Sequence, residues 1–344
     1  IVEVQGDRPR LSYDITNGVV EDTPHLLLEP SSTNRILFSE NFTQWSKLGS
    51  TTVEYVADLV NPDGSVGGYK ISGEGIFVND GSGMSGATTS TSGRSIYARS
   101  VSGTGNVQLL SHNANTNNVF TINETWQRFE LNSTPSIFGQ SNFYVDLRGA
   151  SSTLSEVYVF AAQSESIDIV TSYIKTAGTT ITRAAETCNN SKPSVNSTEG
   201  VFYAEIQALA DDSTYKQITL SDGTITNRIA IFYQNTSNQI GVESSGTGTN
   251  LGIYNQNLTI TNVNKIALKY KANDCALWVN GIQVATDTSF TAFSSGTLSQ
   301  INFDKGDGSS DFYGKVKSLA VYNEALSESQ LMQLTGVTAS SIYN

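Results

Sequence analysis

The stretch KIALKYKANDCALWVNGIQVATDT, residues 265–288, decides the fold class. Ile266, Leu268 and Tyr270 alternate with Lys265, Lys269 and Lys271, a period of two that belongs to a strand with one apolar face and one polar face. Asn280-Gly281 then separates Leu277-Trp278-Val279 from Ile282-Gln283-Val284. Both turn residues tolerate positive φ, so the dipeptide reads as a two-residue hairpin turn. The same alternation recurs upstream. Phe143, Val145 and Leu147 interleave with Tyr144, Asp146 and Arg148, and Val157, Val159 and Ala161 follow. Antiparallel sheet with a solvated outer face is the expectation throughout.

Composition agrees and excludes several functions. The chain has 344 residues, above the roughly 100–200 of one domain, so two domains are expected. Charged residues are only 15%, against roughly 25% in average usage, and 29 glycines supply turns for many short strands. The 20 basic and 32 acidic residues give a net charge of −12, the wrong sign for a protein that tracks phosphates, so no nucleic-acid partner is expected. No apolar run approaches the ~20 residues of a membrane helix, so no membrane insertion is expected. The two histidines, His25 and His112, and two cysteines, Cys188 and Cys275, form neither CxxC nor HExxH, and no GxSxG elbow accompanies them. Sparse cysteines do not make a disulfide scaffold, and two free thiols are expected. The chain opens Ile1-Val2-Glu3 without Met or a signal-like segment, which reads as a cut or processed piece.

One helix is expected near the C-terminus. Ser327 and Gln330 have the spacing of a capping box, Leu326 and Leu331 that of a hydrophobic staple, and Gly336 marks the stop. The segment TCNNSKPSVN, residues 187–196, combines turn formers with a proline and reads as the joint between domains. Gly73 to Gly93 is rich in Gly and Ser and reads as a long loop or a ligand-facing edge.

Two resemblances sharpen this. PRLSYDITNGVVEDTPHLLLEPSSTNRILFSENFTQWSK, residues 9–47, resembles a recurrent opening of bacteriophage tail-associated and other virion proteins. Thr125-Trp126-Gln127-Arg128-Phe129 and TSYIKTAGTTITRAAETC, residues 171–188, are similar to later blocks of the same family, with Lys175 at its proline and Glu186 at its aspartate. The resemblance covers most of residues 9–188 and implies a carbohydrate-binding-module-like jelly roll. Residues 265–288 and FYGKVKSLAVYNEALSESQLMQL, residues 312–334, resemble the laminin G / concanavalin A-like superfamily. The expected fold is therefore all-β, two antiparallel β-sandwich jelly rolls in tandem with one short C-terminal helix. Residues 1–35 read as an N-terminal lead-in, 36–186 as the carbohydrate-binding-module-like jelly roll, 187–196 as linker, and 197–344 as the laminin G / concanavalin A-like jelly roll.

Fold does not set function, so candidate chemistry is weighed residue by residue. A sugar site pairs an aromatic platform for C–H faces with amides or carboxylates for hydroxyls. Trp45, Trp126 and Trp278 all sit in motifs of the resemblance, where the ring is expected in the core. Tyr233 with Asn235, and Tyr254 with Asn257, carry amides beside a ring at strand ends and are the candidate glycan contacts, against a packing role for the rings. Asp304, Asp307 and Asp311 lie in one Asp/Gly-rich loop and are the candidate ligands of a structural calcium, against a solvated turn. Glycosidic cleavage needs two facing carboxylates. The Glu-x-Asp-x-x-Glu string of concanavalin-like hydrolases is missing here, and Glu54, Glu74, Glu205, Asp211 and Asp212 are scattered, so no enzyme is expected and no catalytic residue is nominated.

The reading that follows is a non-enzymatic virion structural protein, tail-associated or on the capsid surface, with lectin-like domains for host surface glycan. The resemblance implies other virion proteins and a host cell-surface glycan as partners, homo-oligomeric assembly, and a place on the virion surface. The alternative is a secreted bacterial adhesin, or an accessory module of a polysaccharide-degrading enzyme.

Overall fold

The computed structural model describes residues 10–16, 19–79, 91–110, 118–133, 142–246, 251–255 and 258–336. Its regular structure is nearly all antiparallel strand, in two compact units, as the alternation requires. The first unit comprises Ser31–Ala185, and the second joins Val4–Pro30 to Glu186–Asn344.

In the first unit two five-stranded sheets face each other. One runs Val119–Ile122, Gly105–Leu109, Asn142–Asp146, Gly75–Asn79, Ser46–Lys47, and the other Gln127–Ser133, Ser92–Ser100, Glu156–Glu165, Val66–Ser72, Thr52–Val60. Val107, Phe143, Val145 and Ile76 of the first meet Ile71, Ile96, Val157 and Val159 of the second in one core. The glycine-rich stretch from Gly73 differs from the expected loop in its first part. Gly75–Asn79 is an inner strand with Ile76 buried. Gly75 serves close approach: at φ +114°, a Cβ there would lie 2.2 Å from the Val145 carbonyl. Residues 80–90 of that stretch lie outside the described residues.

In the second unit a seven-stranded sheet runs Leu11–Thr16, Val19–Leu28, Gly314–Tyr322, Glu199–Ala208, Asn264–Lys271, Cys275–Val279, Ile282–Asp287. A five-stranded sheet covers it, in the order Leu251–Asn255, Ile240–Ser245, Arg228–Tyr233, Lys216–Ser221, Gln300–Asn302. The expected lead-in, 1–35, is therefore no separate segment. Its hairpin extends the sheet of the second unit, with Leu26, Leu27 and Leu28 paired to Val316, Lys315 and Gly314, because Leu28 reaches that core. Nor is 187–196 a free linker. Ser191 and Ile301 exchange backbone hydrogen bonds at 3.2 and 2.7 Å, and the Cys188 carbonyl accepts from Phe303 N at 3.0 Å. Cys188 and Cys275 are both free thiols.

The hairpin at Asn280-Gly281 forms as read, with φ of 50° and 84° in the turn. The helix spans Glu328–Thr335, and its capping box is complete: Ser327 N donates to Gln330 Oε1 at 2.9 Å and Gln330 N to Ser327 Oγ at 3.4 Å. Leu331 packs with Val201, Tyr203, Ala267, Ala276 and Trp278, with Leu326 beside them. That cover is why the outer face of the 264–271 strand is less solvated than its alternation suggests, and Lys269 is buried against Asp274. Gly336 ends the helix in extended backbone, φ −60° and ψ 140°, with no left-handed cap.

Candidate functional site

The sheet of the first unit that contains Ser92–Ser100 and Glu156–Glu165 has an outer face of its own. Ile96, Ala98, Val157 and Val159 point into the core, so their neighbours Tyr97, Arg99, Tyr158 and Phe160 point away from it. Residues 171–173 close one end of that face. Arg128 donates to the Thr171 carbonyl at 2.6 Å, Gln163 donates to it at 3.2 Å, and the Tyr173 ring lies 6.4 Å from Phe160.

The other end is an open groove of about 650 Å³. Arg99, Tyr158, Trp126, Asp58, Asn61 and Glu124 line it, with Val56, Val60 and Thr125. Two turns build the walls. Asn61 donates to the Gly67 carbonyl at 2.8 Å and to Ser65 Oγ at 3.0 Å, and Asp63 accepts from Ser65 N at 2.9 Å, which fixes the hairpin after Val60. Opposite, Asn123 accepts from Thr125 N at 2.8 Å and Glu124 from Gly103 N at 2.6 Å, which fixes the turn leading into Trp126. The walls join where the Trp126 indole donates to the Val60 carbonyl at 2.8 Å.

Arg99 forms the floor. Its guanidinium carbon lies 4.7 Å from the Tyr158 ring centroid and 5.5 Å from that of Trp126, and it donates to the Glu124 carbonyl at 3.3 Å. Such contacts favour a guanidinium by about 0.5–1 kcal/mol each at exposed sites and hold its plane. The site therefore presents two rings, a guanidinium, a buried amide and carboxylates to one space.

The predicted glycan residues are not brought together here. Tyr233 is a core residue, fully buried and stacked on Phe312 with centroids 6.0 Å apart, so it offers no face to a sugar. The parity of its strand explains this, since Ile229, Ile231 and Tyr233 share the core side. Burial pushes its hydroxyl pKa far up. Asn235 is exposed in the turn that follows. Tyr254 is on the edge strand Leu251–Asn255 opposite Gly241, while its side chain and the whole of Asn257 lie outside the described residues.

The three carboxylates of the calcium expectation each take a partner close by in sequence. Asp304 is buried and accepts from Gly306 N, Asp307 is exposed and accepts from Ser309 N at 3.0 Å and Ser309 Oγ at 2.6 Å, and Asp311 accepts from the Tyr313 hydroxyl at 3.0 Å. Each carboxylate caps its own piece of the loop. The Ser309 hydroxyl leads in holding the Asp307 carboxyl below its ordinary value. Among the described residues no three His, Cys, Asp or Glu side chains converge on a metal-sized space.

Of the three tryptophans, two are framework as expected. Trp45 is buried against Phe42 and Phe143, and Trp278 lies under the helix. Trp126 differs. It precedes Gln127–Ser133, where Phe129 and Leu131 take the inner side, so it shares the outer parity of Arg128 and Glu130. That alternation was the available signal for the groove.

The fold is that of two antiparallel β-sandwiches in one chain. Residues 202–332, within the second unit, match the family Laminin_G_3, described as the concanavalin A-like lectin/glucanases superfamily. No curated protein matches the chain. Among solved structures, the chain is similar to the CBM40 of a Ruminococcus gnavus IT-sialidase bound to α2,3-sialyllactose, at 17% identity and TM-score 0.36, over 44% of this chain and 97% of that one. It is also similar to domain 4 of a GH43 extracellular arabinanase from Geobacillus stearothermophilus in complex with arabinotriose, at 13% identity and TM-score 0.37, over 44% and 73%. Mouse laminin α1 domains LG4-5 are similar at 10% identity and TM-score 0.30, over 74% and 89%.

Proposed function

We propose that this chain is a non-catalytic glycan-binding protein carried on a bacteriophage particle, and that its first unit holds the sugar in the groove beside Trp126. The groove itself is the observation that carries the glycan reading. The only N–H of the Trp126 indole is spent on Val60, so the ring contributes apolar surface, and Arg99, Asn61 and Asp58 add polar groups beside it. A pyranose combines those two demands, with C–H faces for aromatic surface and hydroxyls for donors and acceptors. Its hydroxyls exchange water for protein partners at small net gain, so each site is weak and display in several copies supplies avidity of about 10²–10⁴.

The virion setting is supported by the resemblance of residues 9–188, which also makes other virion proteins and a host cell-surface glycan the expected partners and homo-oligomeric assembly the expected state. The test is binding of a multimerised full chain, beside its Trp126→Ala variant, to host cells and to a panel of surface polysaccharides. Saturable binding that free oligosaccharide competes and that Trp126→Ala removes supports the reading. No glycan bound by the unmodified chain overturns it. Labelling of intact particles with antibody against the chain checks the setting separately.

A further inference from the structure

Charge on the groove wall bears on which sugars enter, and this inference rests on the glycan reading above. Asp58 and Glu124 bring two carboxylates to the wall, and Arg99 is the one cation among the lining residues. Neither carboxylate pairs with it. Glu124 is turned to Gly103 N at 2.6 Å, while Arg99 donates to the Glu124 backbone carbonyl and packs on two rings. Among the described residues Asp58 has neither an ion pair nor a hydrogen bond, and its side chain is exposed. The groove thus keeps an unspent donor and an unspent acceptor beside two aromatic rings, and its lining carries one more negative charge than positive.

We propose that the groove selects neutral sugars with an adjacent pair of free hydroxyls, and turns away uronic and other carboxylate-bearing sugars. One hydroxyl oxygen accepts from the Arg99 guanidinium and its neighbour donates to the Asp58 carboxylate. A hydroxyl satisfies both because it donates and accepts, whereas a carboxylate only accepts. A carboxylate drawn to Arg99 meets Asp58 and Glu124 in the same groove, and like charges brought together there oppose binding. The chain's net charge of −12 acts in the same sense at longer range.

The experiment uses the full chain and pairs of polymers that differ only in charge: polygalacturonate and other polyuronates, each beside its own carboxyl-reduced form, together with neutral glucans, mannans and galactans. At low ionic strength the neutral member of a pair is expected to bind about tenfold more tightly, with the gap narrowing as salt screens it. Arg99→Gln and Asp58→Asn should each lose about tenfold toward the neutral polymer. Asp58→Asn with Glu124→Gln should raise affinity for the polyuronate. Equal binding, or preference for the polyuronate, overturns this inference and leaves the glycan reading standing. Neutral-sugar binding that persists in Trp126→Ala lies elsewhere on the chain and also overturns it. Absence of binding to every polymer overturns both.

Discussion

Arg10 and Glu186, separated by 176 positions, meet at 2.6 Å in the second unit. The same guanidinium donates to Glu29 at 2.7 Å, and Glu29 N donates to the Glu186 carboxylate at 2.7 Å. Glu186 N returns a bond to the Glu29 carbonyl at 3.0 Å. Two passes of the chain are thereby clamped where the first leaves this unit, at Pro30, and the second enters it, at Glu186. Arg10→Ala leaves two carboxylates together with little water, and should destabilise the full chain by about 2–3 kcal/mol. Calorimetry measures the loss. Adding Glu186→Gln to that variant should return part of it, because the repulsion is then gone.

Trp126 is the half-buried indole of the three, so fluorescence reports on the groove. Ligand binding should quench or shift the emission of the unmodified chain and leave that of Trp126→Phe unchanged. Stability should fall by only about 1 kcal/mol, since the substitution removes one hydrogen bond and weakens one cation–π contact. A collapse of the melting transition would instead assign the ring to the framework.

The helix cap offers a clean test of local energetics. Ser327→Ala removes the acceptor of Gln330 N and should cost about 0.5–2 kcal/mol in equilibrium unfolding of the full chain. Ser327→Asp, which keeps an acceptor, should restore most of it.

Acid should weaken the N-terminal hairpin in two windows. His25 is buried, and burial lowers its pKa below the ordinary 6.5. The unfolded chain then takes up the proton before the folded one does, so stability falls as pH drops below about 6.5. Asp14 accepts from Lys315 at 2.6 Å and lies 3.0 Å from Lys317. Burial alone would raise its pKa, but the two lysines hold it at about 2 against an ordinary 3.8. Its contribution is present above 3.8 and is lost as pH falls through about 2. Allowing for solvent on its open side, the loss is about 1–2 kcal/mol. Urea unfolding as a function of pH should show both windows, the upper one missing in His25→Gln and the lower one in Asp14→Asn.

The Asp304–Asp311 loop should ignore metal. Chelator should leave the melting temperature unchanged, and added calcium should not raise it. A rise that Asp307→Asn abolishes would return these carboxylates to the role of ligands.

What was legible in the sequence was whatever depends on near neighbours. Period two places side chains on alternate faces whatever the sheet becomes, so strand class, the Asn280-Gly281 hairpin and the Ser327–Gln330 box are all as read. The same rule marks Tyr233 as a core residue beside Ile229 and Ile231, and Trp126 as an outer one beside Arg128. Alternation cannot say which outer face is later covered. Leu331 of a helix more than 50 residues away in sequence buries Ala267 and Ala276, while Thr171 closes one end of the Tyr97–Phe160 face and leaves Arg99 and Tyr158 open. Nor does it say which sheet an end segment joins, since Leu26–Leu28 satisfy their backbone on Gly314–Val316, nearly 290 residues along the chain. Local torsions and side-chain parity are properties of adjacent residues. Burial, the partner of each carboxylate and the groove beside Trp126 depend on long-range pairing, which only the folded chain brings about.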